Sequence, residues 1–276
     1  MTIDGALNYA KSMLASTDSP ALDAHILLCH VLNCQPAHVH AWPEQKLTSE
    51  QKVKFELLLT ERQIGKPVAH IIGERGFWSL DLKVTPDTLI PRPDTELLVE
   101  LALARISPAM TIADLGTGSG AIALALAKEH SDIKVVATDY STAALQVAKE
   151  NAARLQLSNI SFCQGHWCQA ITSASFDMVV SNPPYIEEND PHLLQGDVKF
   201  EPISALTSGP DGLNDIRQIV AESVQCLKPR GWLLIEHGYH QSDAVKILFA
   251  EAGFKNIIAE RDFGGQDRVV LGQLPV

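Results

Sequence analysis

A glycine-rich turn, DLGTGSG at residues 114–120, is the feature that most constrains how this chain can fold. It follows the short apolar segment TIADLG and precedes Ala121 to Ala127, where isoleucine and leucine alternate with alanine. The periodicity of this run fits a strand or a helix, but four alanines after a glycine-rich entry favour a helix. Because glycines allow a tight turn between strand and helix, the segment predicts the start of a β-α-β unit.

Predicted helices and strands continue to alternate from about Pro93 onward. The predicted helices cover 94–106, 121–127, 141–156, 213–227 and 240–252. The predicted strands are TIADLG, KVVATD, NISFCQ, FDMVVSN, 231–236, 255–260 and 267–271, with a proline-rich loop from Asn182 to about Gly212. This alternation is typical of a Rossmann-like α/β fold, so we expect a mostly parallel seven-stranded sheet with helices on both faces.

The N-terminal part of the chain has a different pattern. Residues 1–68 carry apolar side chains at helical spacing, with a clear helical run from about Thr48 to Ile64. Residues 69–85 alternate and contain glycines, which is typical of a β-hairpin. The sequence therefore predicts a small helical domain at 1–68, a hairpin linker at 69–85 and an α/β domain at 86–276.

Composition excludes several classes of protein. Hydrophobic residues make up 46% and charged residues 20% of the chain, so a disordered or fibrous protein is excluded. No apolar run is long enough to span a membrane and the N-terminus lacks the layout of a secretory signal, so we expect a cytoplasmic protein. The five cysteines form no CxxC pair and the ten histidines no HExxH, so we predict no disulfide framework and no metal site.

The charge balance is acidic, with 22 basic against 33 acidic residues and a formal net charge of −11. A protein that grips nucleic acid through many phosphates usually has a basic footprint, so no nucleic-acid substrate is expected. Residues 1–80 carry seven basic and eight acidic side chains and are close to neutral. We interpret the helical domain as the element that docks a partner.

Asp139 ends the strand KVVATD, nineteen residues after Gly120. A carboxylate at this place can accept hydrogen bonds from both hydroxyls of a ribose, so a nucleoside-bearing cofactor is predicted at the carboxyl ends of the strands. The turn fits the looser dinucleotide fingerprint GxGxxA as well as the motif GxGxG. Asp114, two residues before the first glycine, suits the ammonium group of S-adenosylmethionine. The turn alone leaves both cofactors open.

The motif Asn182-Pro183-Pro184-Tyr185 follows FDMVVS, at the same edge of the predicted sheet. Two consecutive prolines remove two N–H donors, so the turn presents acceptors without competing donors. The Asn182 side-chain oxygen and the Pro183 carbonyl can each accept one hydrogen of a planar NH2 group, which aims the nitrogen lone pair at a methyl group. Tyr185 is expected to offer an aromatic face to the substrate or to the cofactor's sulfonium methyl. We predict that these four residues are catalytic and bind the substrate.

The chain resembles the protein-(glutamine-N5) methyltransferases of peptide-chain release factors, the HemK family, over nearly its whole length. The shared motifs are IPRPDTE from Ile90, DLGTGSGAIALALA, Asp139, SNPPYI, Glu201-Pro202, GPDGL, EHG from Glu236 and DRV from Asp267. The resemblance implies a class I methyltransferase domain that uses S-adenosyl-L-methionine to methylate the glutamine of a Gly-Gly-Gln motif in release factors, in support of translation termination. It also implies that the target glutamine is bound by Asn182, Pro183, Pro184 and Tyr185. The cofactor contacts that it implies are Gly116, Thr117, Gly118, Ser119, Gly120, Asp139, Trp167 and Asn182.

Several residues keep two interpretations. The family often has an acid where His166 stands, accepting from the adenine amino group, and a neutral histidine can accept through one ring nitrogen. Trp167 packs near the adenine or is a core tryptophan. Arg92 and Glu96 orient cofactor or substrate, or they pair at the helix entrance. For Glu236 and His237, an ion pair at the strand end is preferred over a functional role.

Other functions were weighed against glutamine methylation. Adenine-N6 methylation of DNA or RNA is the runner-up because the Asn-Pro-Pro-Tyr motif suits any planar NH2 group. The acidic charge and the lack of a basic target-reading domain argue against it. The intact motif argues against a module that only binds the cofactor, and the lack of a proton-relay constellation argues against a dehydrogenase.

Overall fold

The computed structural model describes residues 1–171 and 175–276 and divides into two compact units. The helical unit consists of Met1–Glu74 together with Leu194–Phe200. The sheet unit consists of Arg75–Leu193 and Glu201–Val276. Within the described ranges, no helix is long and apolar enough to cross a membrane, and no group of three or more His, Cys, Asp or Glu side chains is arranged to hold a metal ion.

The helical unit contains α1 (Ile3–Met13), α2 (Pro20–Leu32), α3 (Pro36–Ala41), α4 (Ser49–Gln63) and α5 (Val68–Ile72). α4 begins with a capping box, because the Thr48 hydroxyl accepts from the Gln51 N–H and the Gln51 side chain accepts from the Thr48 N–H. The apolar residues at helical spacing form one core, in which Ile3, Leu14, Leu27, Phe55 and Leu59 are completely buried. The predicted helical fold of this region is confirmed.

The β-hairpin is shorter than the predicted one. It consists of β1 (Glu74–Phe77) and β2 (Leu80–Lys83), whereas residues 69–72 belong to α5. Gly73 follows α5 with a φ of 77°, and its N–H donates to the Ala69 carbonyl. A glycine in this left-handed conformation ends a helix as well as it interrupts a strand, so the sequence prediction is wrong for residues 69–72.

The sheet unit contains seven strands, β3 (Thr111–Leu115), β4 (Lys134–Asp139), β5 (Ile160–Gln164), β6 (Phe176–Ser181), β7 (Leu227–Glu236), β8 (Lys255–Arg261) and β9 (Asp267–Gln273). Their order across the sheet is β5-β4-β3-β6-β7-β9-β8. Strand β9 is antiparallel to β7 and β8, and the other neighbouring pairs are parallel. The predicted mostly parallel seven-stranded sheet is confirmed.

Helices cover both faces of this sheet, namely α6 (Glu96–Leu103), α7 (Ala121–Glu129) and α8 (Thr142–Arg154) on one face and α9 (Asn214–Cys226) and α10 (Ser242–Glu251) on the other. Strand side chains alternate between the faces, so Ile112 packs with α6 and α7 while Ala113 packs with α9 and α10. Every residue from Ala121 to Ala127 is buried, which explains why this run has no polar face. The prediction of a helix here is confirmed.

The strand order places the site. Strand β3 lies between β4 and β6. From β3 the chain passes to β4 and β5 on one side of the sheet, and it then crosses to β6 and β7 on the other side. Ligands of open α/β sheets bind at such a point, outside the carboxyl ends of the strands. The turns after β3, β4 and β6 therefore surround the place where a ligand is expected.

Candidate active site

A cavity of about 510 Å³ opens at the carboxyl ends of β3, β4 and β6. This volume is in the range of cavities that hold small-molecule cofactors. The predicted site residues on its wall are Gly116, Thr117, Gly118, Ser119, Asp139, Trp167, Asn182 and Pro184. The structure thus brings the glycine turn, the carboxylate predicted to bind a ribose and part of the Asn-Pro-Pro-Tyr motif to one cavity. The remaining predicted site residues, Asp114, Gly120, Pro183 and Tyr185, are not on its wall.

The glycine turn lets the backbone come close to an aromatic side chain. Gly116 follows β3 with a φ of 73°, and a Cβ at this position would lie 2.8 Å from the Trp167 ring. Only glycine accommodates both the left-handed conformation and this contact. Gly118 has open space where a Cβ would stand, and Gly120 is the N-cap residue of α7. The turn therefore offers a bare backbone surface to the cavity.

Asp139 connects the glycine turn to the start of α8. Its Oδ2 accepts from the Gly118 N–H and its Oδ1 from the Ser141 N–H, both at 2.9 Å. Burial raises the pKa of Asp139, and the bonds from backbone N–H groups oppose that shift. Each carboxylate oxygen keeps a further lone pair, so the group can still accept from two hydroxyls of a ligand in the cavity.

Asp114 lies behind the glycine turn. It is completely buried, and its Oδ2 accepts from the Thr117 hydroxyl at 2.6 Å and from the Ala123 N–H at 3.2 Å. Its Oδ1 has no hydrogen-bond partner among the described residues. Burial raises the pKa of Asp114 to about 7, against the effect of these two bonds. The carboxylate therefore fastens the turn to α7, and the structure does not bring it to the cavity wall.

Trp167 is both part of the core and on the cavity wall. It is 9% exposed and packs in the apolar cluster with α9, yet it also lines the cavity. Its indole Nε1 donates to Asp215 at 3.1 Å, which fixes the plane of the ring. The His166 ring packs edge-on against it at 5.4 Å and lines the same cavity. The two rings form one aromatic wall of the site.

The Asn-Pro-Pro-Tyr motif begins where β6 ends. The Ser181 hydroxyl donates to the Leu115 carbonyl at 2.7 Å, so the ends of β6 and β3 are joined directly. Asn182 and Pro184 reach the cavity, and Pro183 is buried beside them. The Asn182 Nδ2 donates to the Thr95 hydroxyl at 3.0 Å. The amide of Asn182 is therefore held by the protein on one side and open to the cavity on the other.

Tyr185 points away from the cavity. Its ring packs against the apolar cluster with α9 and α10, and its hydroxyl donates to the Glu236 Oε1 at 3.3 Å. Burial raises the pKa of Tyr185 well above its usual value, and the Glu236 carboxylate adds to the rise, so the hydroxyl stays protonated. The structure does not bring the predicted aromatic face to the cavity.

Glu236 is a buried residue that contacts the Asn-Pro-Pro-Tyr motif through the Tyr185 hydroxyl. It is completely buried at the end of β7, and burial raises its pKa to about 7 although the hydrogen bond from Thr95, the charge of Arg268 and the bond from Tyr185 lower it. His237 instead places its Nδ1 2.8 Å from the Gly238 carbonyl, and burial lowers its pKa. The preferred ion pair between Glu236 and His237 is therefore wrong. The signal for a site role was the end of β7 at the same sheet edge as Asn182.

Arg92 and Glu96 have separate partners. Arg92 lines the cavity and forms an ion pair with the buried Glu201, which also accepts from the Ile90 N–H at 2.9 Å. Glu96 accepts from the Trp78 N–H at 2.8 Å. Both residues are therefore paired near the helix entrance, each with a different partner. Glu201 holds Arg92 in place, a link across more than a hundred residues that spacing could not indicate.

Comparisons with known proteins agree with this architecture. A family model described as the PrmC N-terminal domain matches residues 5–73, and one described as a methyltransferase domain matches residues 106–265. The release factor glutamine methyltransferase of Vibrio cholerae is 50% identical over 99% of this chain and 97% of its own length. That of Escherichia coli K12 is 48% identical over 97% of each chain. A crystal structure of a methyltransferase from Pyrococcus furiosus, 16% identical, matches 79% of this chain and 98% of that chain with a TM-score of 0.55, which supports the fold alone.

The seven-stranded sheet, with one antiparallel strand and a cavity at the carboxyl ends of its central strands, defines a class I methyltransferase. Identity near one half extends over almost the full length of both curated relatives. The chain belongs to the release factor glutamine methyltransferase family. The resemblance inferred from the sequence motifs is confirmed.

Proposed function

We propose that this chain transfers a methyl group from S-adenosyl-L-methionine to the side-chain amide nitrogen of the Gly-Gly-Gln glutamine in peptide-chain release factors, and that it does so in the cytoplasm. The observation that carries the proposal is that Asn182 and Pro184 line the same cavity as the glycine turn and Asp139. A methyl donor bound at the glycine turn and a glutamine side-chain amide held by Asn182 are then in the same cavity. Membership of the family supports the choice of substrate.

The residues of the cavity fit the proposed cofactor. We propose that Asp139 binds the ribose hydroxyls of the cofactor and that the aromatic wall of Trp167 and His166 contacts its adenine. The bare backbone at Gly116–Gly120 lets the cofactor come close to the glycine turn. Asp114 acts from behind by holding Thr117 in position. When bound, S-adenosylmethionine supplies an electrophilic methyl group, and the protein's own groups orient the acceptor toward it.

Asn182 and Pro183 are proposed to hold the acceptor amide. The oxygen of the Asn182 side chain and the Pro183 carbonyl each accept one hydrogen of the glutamine NH2 group, and the following proline supplies no competing donor. Holding both hydrogens draws the nitrogen toward tetrahedral geometry and aims its lone pair. The methylated nitrogen then loses its proton to water, so no strong general base is required. Positioning of this kind contributes up to roughly 7–11 kcal/mol.

Tyr185 and Pro184 complete the motif in different ways. Pro184 lines the cavity next to Asn182, so it shapes the space that the glutamine side chain occupies. Tyr185 is proposed to hold the backbone of the motif from beneath, through its buried ring and its bond to Glu236. This replaces the expectation that its ring touches the substrate.

The division of labour along the chain is also a proposal. Residues 1–68 dock the release factor, and residues 86–276 catalyse the methyl transfer. Residues 69–85 link these two domains. The near-neutral charge of the N-terminal region and the match of residues 5–73 to a separate family model support this division. No nucleic acid and no membrane takes part in the proposed reaction.

The test uses purified protein with methyl-labelled S-adenosylmethionine and three acceptors. These are a release factor carrying Gly-Gly-Gln, its Gln→Ala version, and adenine-containing DNA or RNA. We expect label on the first acceptor alone, located to the glutamine by mass spectrometry. Label on nucleic acid would favour adenine-N6 methylation, and label on the Gln→Ala version would refute the assigned acceptor.

A further inference from the structure

Gln241, the N-cap residue of α10, is a buried glutamine that no step of the proposed reaction uses. Its Nε2 donates to the Tyr185 carbonyl at 3.0 Å and to the Asp211 carbonyl at 3.3 Å. Its Oε1 accepts from the Gly238 N–H at 2.8 Å. Tyr185 and Asp211 stand near the two ends of the loop between β6 and α9, and Gly238 follows β7. One side chain therefore joins three backbone segments, and one of them is the end of the Asn-Pro-Pro-Tyr motif.

The partners of Gln241 fix the orientation of its amide. A carbonyl oxygen only accepts and a backbone N–H only donates, so the NH2 group must face the two carbonyls and the oxygen must face Gly238. A buried polar group that loses its partner costs free energy, and both hydrogens and the oxygen of this amide are used. A glutamate of the same shape would place an acceptor against two acceptors. The position therefore requires a carboxamide.

Two glycines make room for this amide. Gly212 has a φ of 70°, and a Cβ there would collide with the Tyr185 carbonyl and lie 2.8 Å from the Gln241 Nε2. A Cβ at Gly238 would lie 3.0 Å from the Gln241 Oε1. These glycines belong to the motifs GPDGL and EHG, for which the proposed reaction has no direct use. Both motifs let the backbone close around one glutamine side chain.

The bond from Gln241 reaches the substrate-binding groups through a stiff stretch of backbone. Tyr185 follows two consecutive prolines, whose rings fix the φ angles between it and the start of the motif. The Ser181 hydroxyl holds that start by its bond to the end of β3. Gln241 holds the other end by its bond to the Tyr185 carbonyl. A shift of this carbonyl would therefore displace the Pro183 carbonyl as well.

We propose that Gln241 is a positioning residue for methyl transfer, because it holds the Asn-Pro-Pro-Tyr backbone so that the Asn182 oxygen and the Pro183 carbonyl meet the glutamine amide. This inference rests on the proposed function, since it concerns how that reaction's acceptor is held. Gln241 is not among the described residues on the cavity wall. It acts through the motif and touches neither reactant.

The experiment measures single-turnover methyl transfer to a release factor, with labelled cofactor bound in advance, for wild type, Gln241→Glu and Gln241→Met. Both replacements have nearly the length of glutamine. An ionised glutamate sets an acceptor against the two carbonyls, and methionine offers no donor. We expect the rate at saturating release factor to fall about tenfold to a hundredfold, since a misplacement of about 1 Å costs on the order of 10²-fold.

The loss should appear in kcat and not in KM. Docking of a whole release factor involves far more surface than one glutamine side chain, so the concentration of release factor that gives half the maximal rate should change little. Cofactor affinity should be unchanged, because Gln241 bonds neither the glycine turn nor Asp139. A general loss of structure would instead lower the rate, the cofactor affinity and the melting temperature together.

Gln273→Glu is the matched control. The Gln273 Nε2 also donates to a backbone carbonyl, that of Arg230 at 2.9 Å, but Arg230 is near the start of β7 and Gly238 follows its end. This variant should keep the wild-type rate. If Gln241→Met fails to fold, Gln241→Glu provides the test, because it keeps the shape of the wild-type side chain.

The outcomes distinguish this inference from the proposed function. Wild type that does not methylate the release factor would overturn the proposed function, and this inference with it. Wild type that methylates it, with a folded Gln241 variant that keeps the whole rate, would overturn the inference alone. A rate that falls only in step with cofactor binding or folding in both variants would also overturn it, in favour of a purely structural role.

Discussion

The Asp139 carboxylate has a structural task and is also proposed to bind the ribose of the cofactor. Its two oxygens hold the N–H groups of Gly118 and Ser141, so the turn after β3 and the start of α8 depend on it. Asp139 also lines the cavity where the ribose is proposed to lie. Loss of this side chain should therefore weaken the cofactor site without removing the groups that hold the substrate amide.

We expect Asp139→Ala to weaken S-adenosylmethionine binding by about tenfold to a hundredfold, since hydrogen bonds to a charged group contribute roughly 1.5–3 kcal/mol. Calorimetric titration of the cofactor measures this. Asp132→Ala, at an exposed position before β4, is the matched control and should bind the cofactor normally. Equal affinity in the two variants would contradict the role assigned to Asp139.

Two predicted site residues lie behind the cavity for reasons that the sequence does not contain. Asp114 lies two residues before the first glycine of the turn, but the backbone directs its carboxylate toward the N-terminus of α7, where the Thr117 hydroxyl and the Ala123 N–H donate to it. Tyr185 follows Pro184, which lines the cavity, and yet points to Glu236. Motif spacing predicted which residues are near the site, whereas the direction of each side chain depends on packing between distant strands.

At the scale of elements, the turn from β3 to α7 depends on its contact with the segment after β5. Gly116 lies so close to the Trp167 ring that a Cβ atom at position 116 would be only 2.8 Å from it. Gly253 offers a comparison, because it has a φ of 92° but nothing within 4 Å of the place where a Cβ would stand. The two positions separate the cost of backbone strain from the cost of the aromatic contact.

We expect Gly253→Ala to lower the free energy of unfolding by roughly 1–2 kcal/mol, the cost of a left-handed alanine. Gly116→Ala should lower it by more, because the Trp167 ring must also move, and it should weaken cofactor binding as well. Urea unfolding and cofactor titration of both variants test this. Equal destabilisation, with cofactor affinity unchanged in Gly116→Ala, would show that the contact has no role.

Most helices and strands of the sheet unit follow from periodicity, because buried strands and amphipathic helices repeat at different intervals. The exceptions have local causes. Strand β7 starts at Leu227 rather than 231, because Leu227 pairs with Phe176 before the register shifts to Met178 and Trp232. The sequence LKPRG between these pairs indicates a turn, and only the partner strand shows that it is an irregularity within a strand.

At the scale of the whole molecule, the helical unit includes a segment from the long loop that follows the Asn-Pro-Pro-Tyr motif. Within this unit, Arg62 is 6% exposed, and its Nε and Nη1 lie 2.8 and 2.7 Å from the carboxylates of Asp23 and Asp197. Asp23 is on α2 and Asp197 belongs to the segment Leu194–Phe200. No sequence pattern predicts this ion pair, because its members are far apart in the chain.

We expect Arg62→Ala to destabilise the protein by about 3–5 kcal/mol, because it leaves the buried Asp23 carboxylate without its partner. Lys52→Ala removes an exposed ion pair in which the Lys52 Nζ lies 3.7 Å from the Glu56 Oε1. This variant should lower the free energy of unfolding by less than about 1 kcal/mol. Thermal unfolding of both variants provides the comparison. A cost for Arg62→Ala as small as that of the surface control would mean that the pair does not stabilise the unit.

The central claim is that Asn182 holds the acceptor amide in the cavity that holds the methyl donor. Its most direct test is single-turnover methyl transfer by Asn182→Ala, with labelled cofactor bound in advance and release factor in excess. Asn189→Ala, at an exposed position of the following loop, is the control. We predict that Asn182→Ala lowers the rate of transfer on the order of 10²-fold or more while the protein stays folded and the cofactor stays bound. Transfer at the wild-type rate would contradict the account.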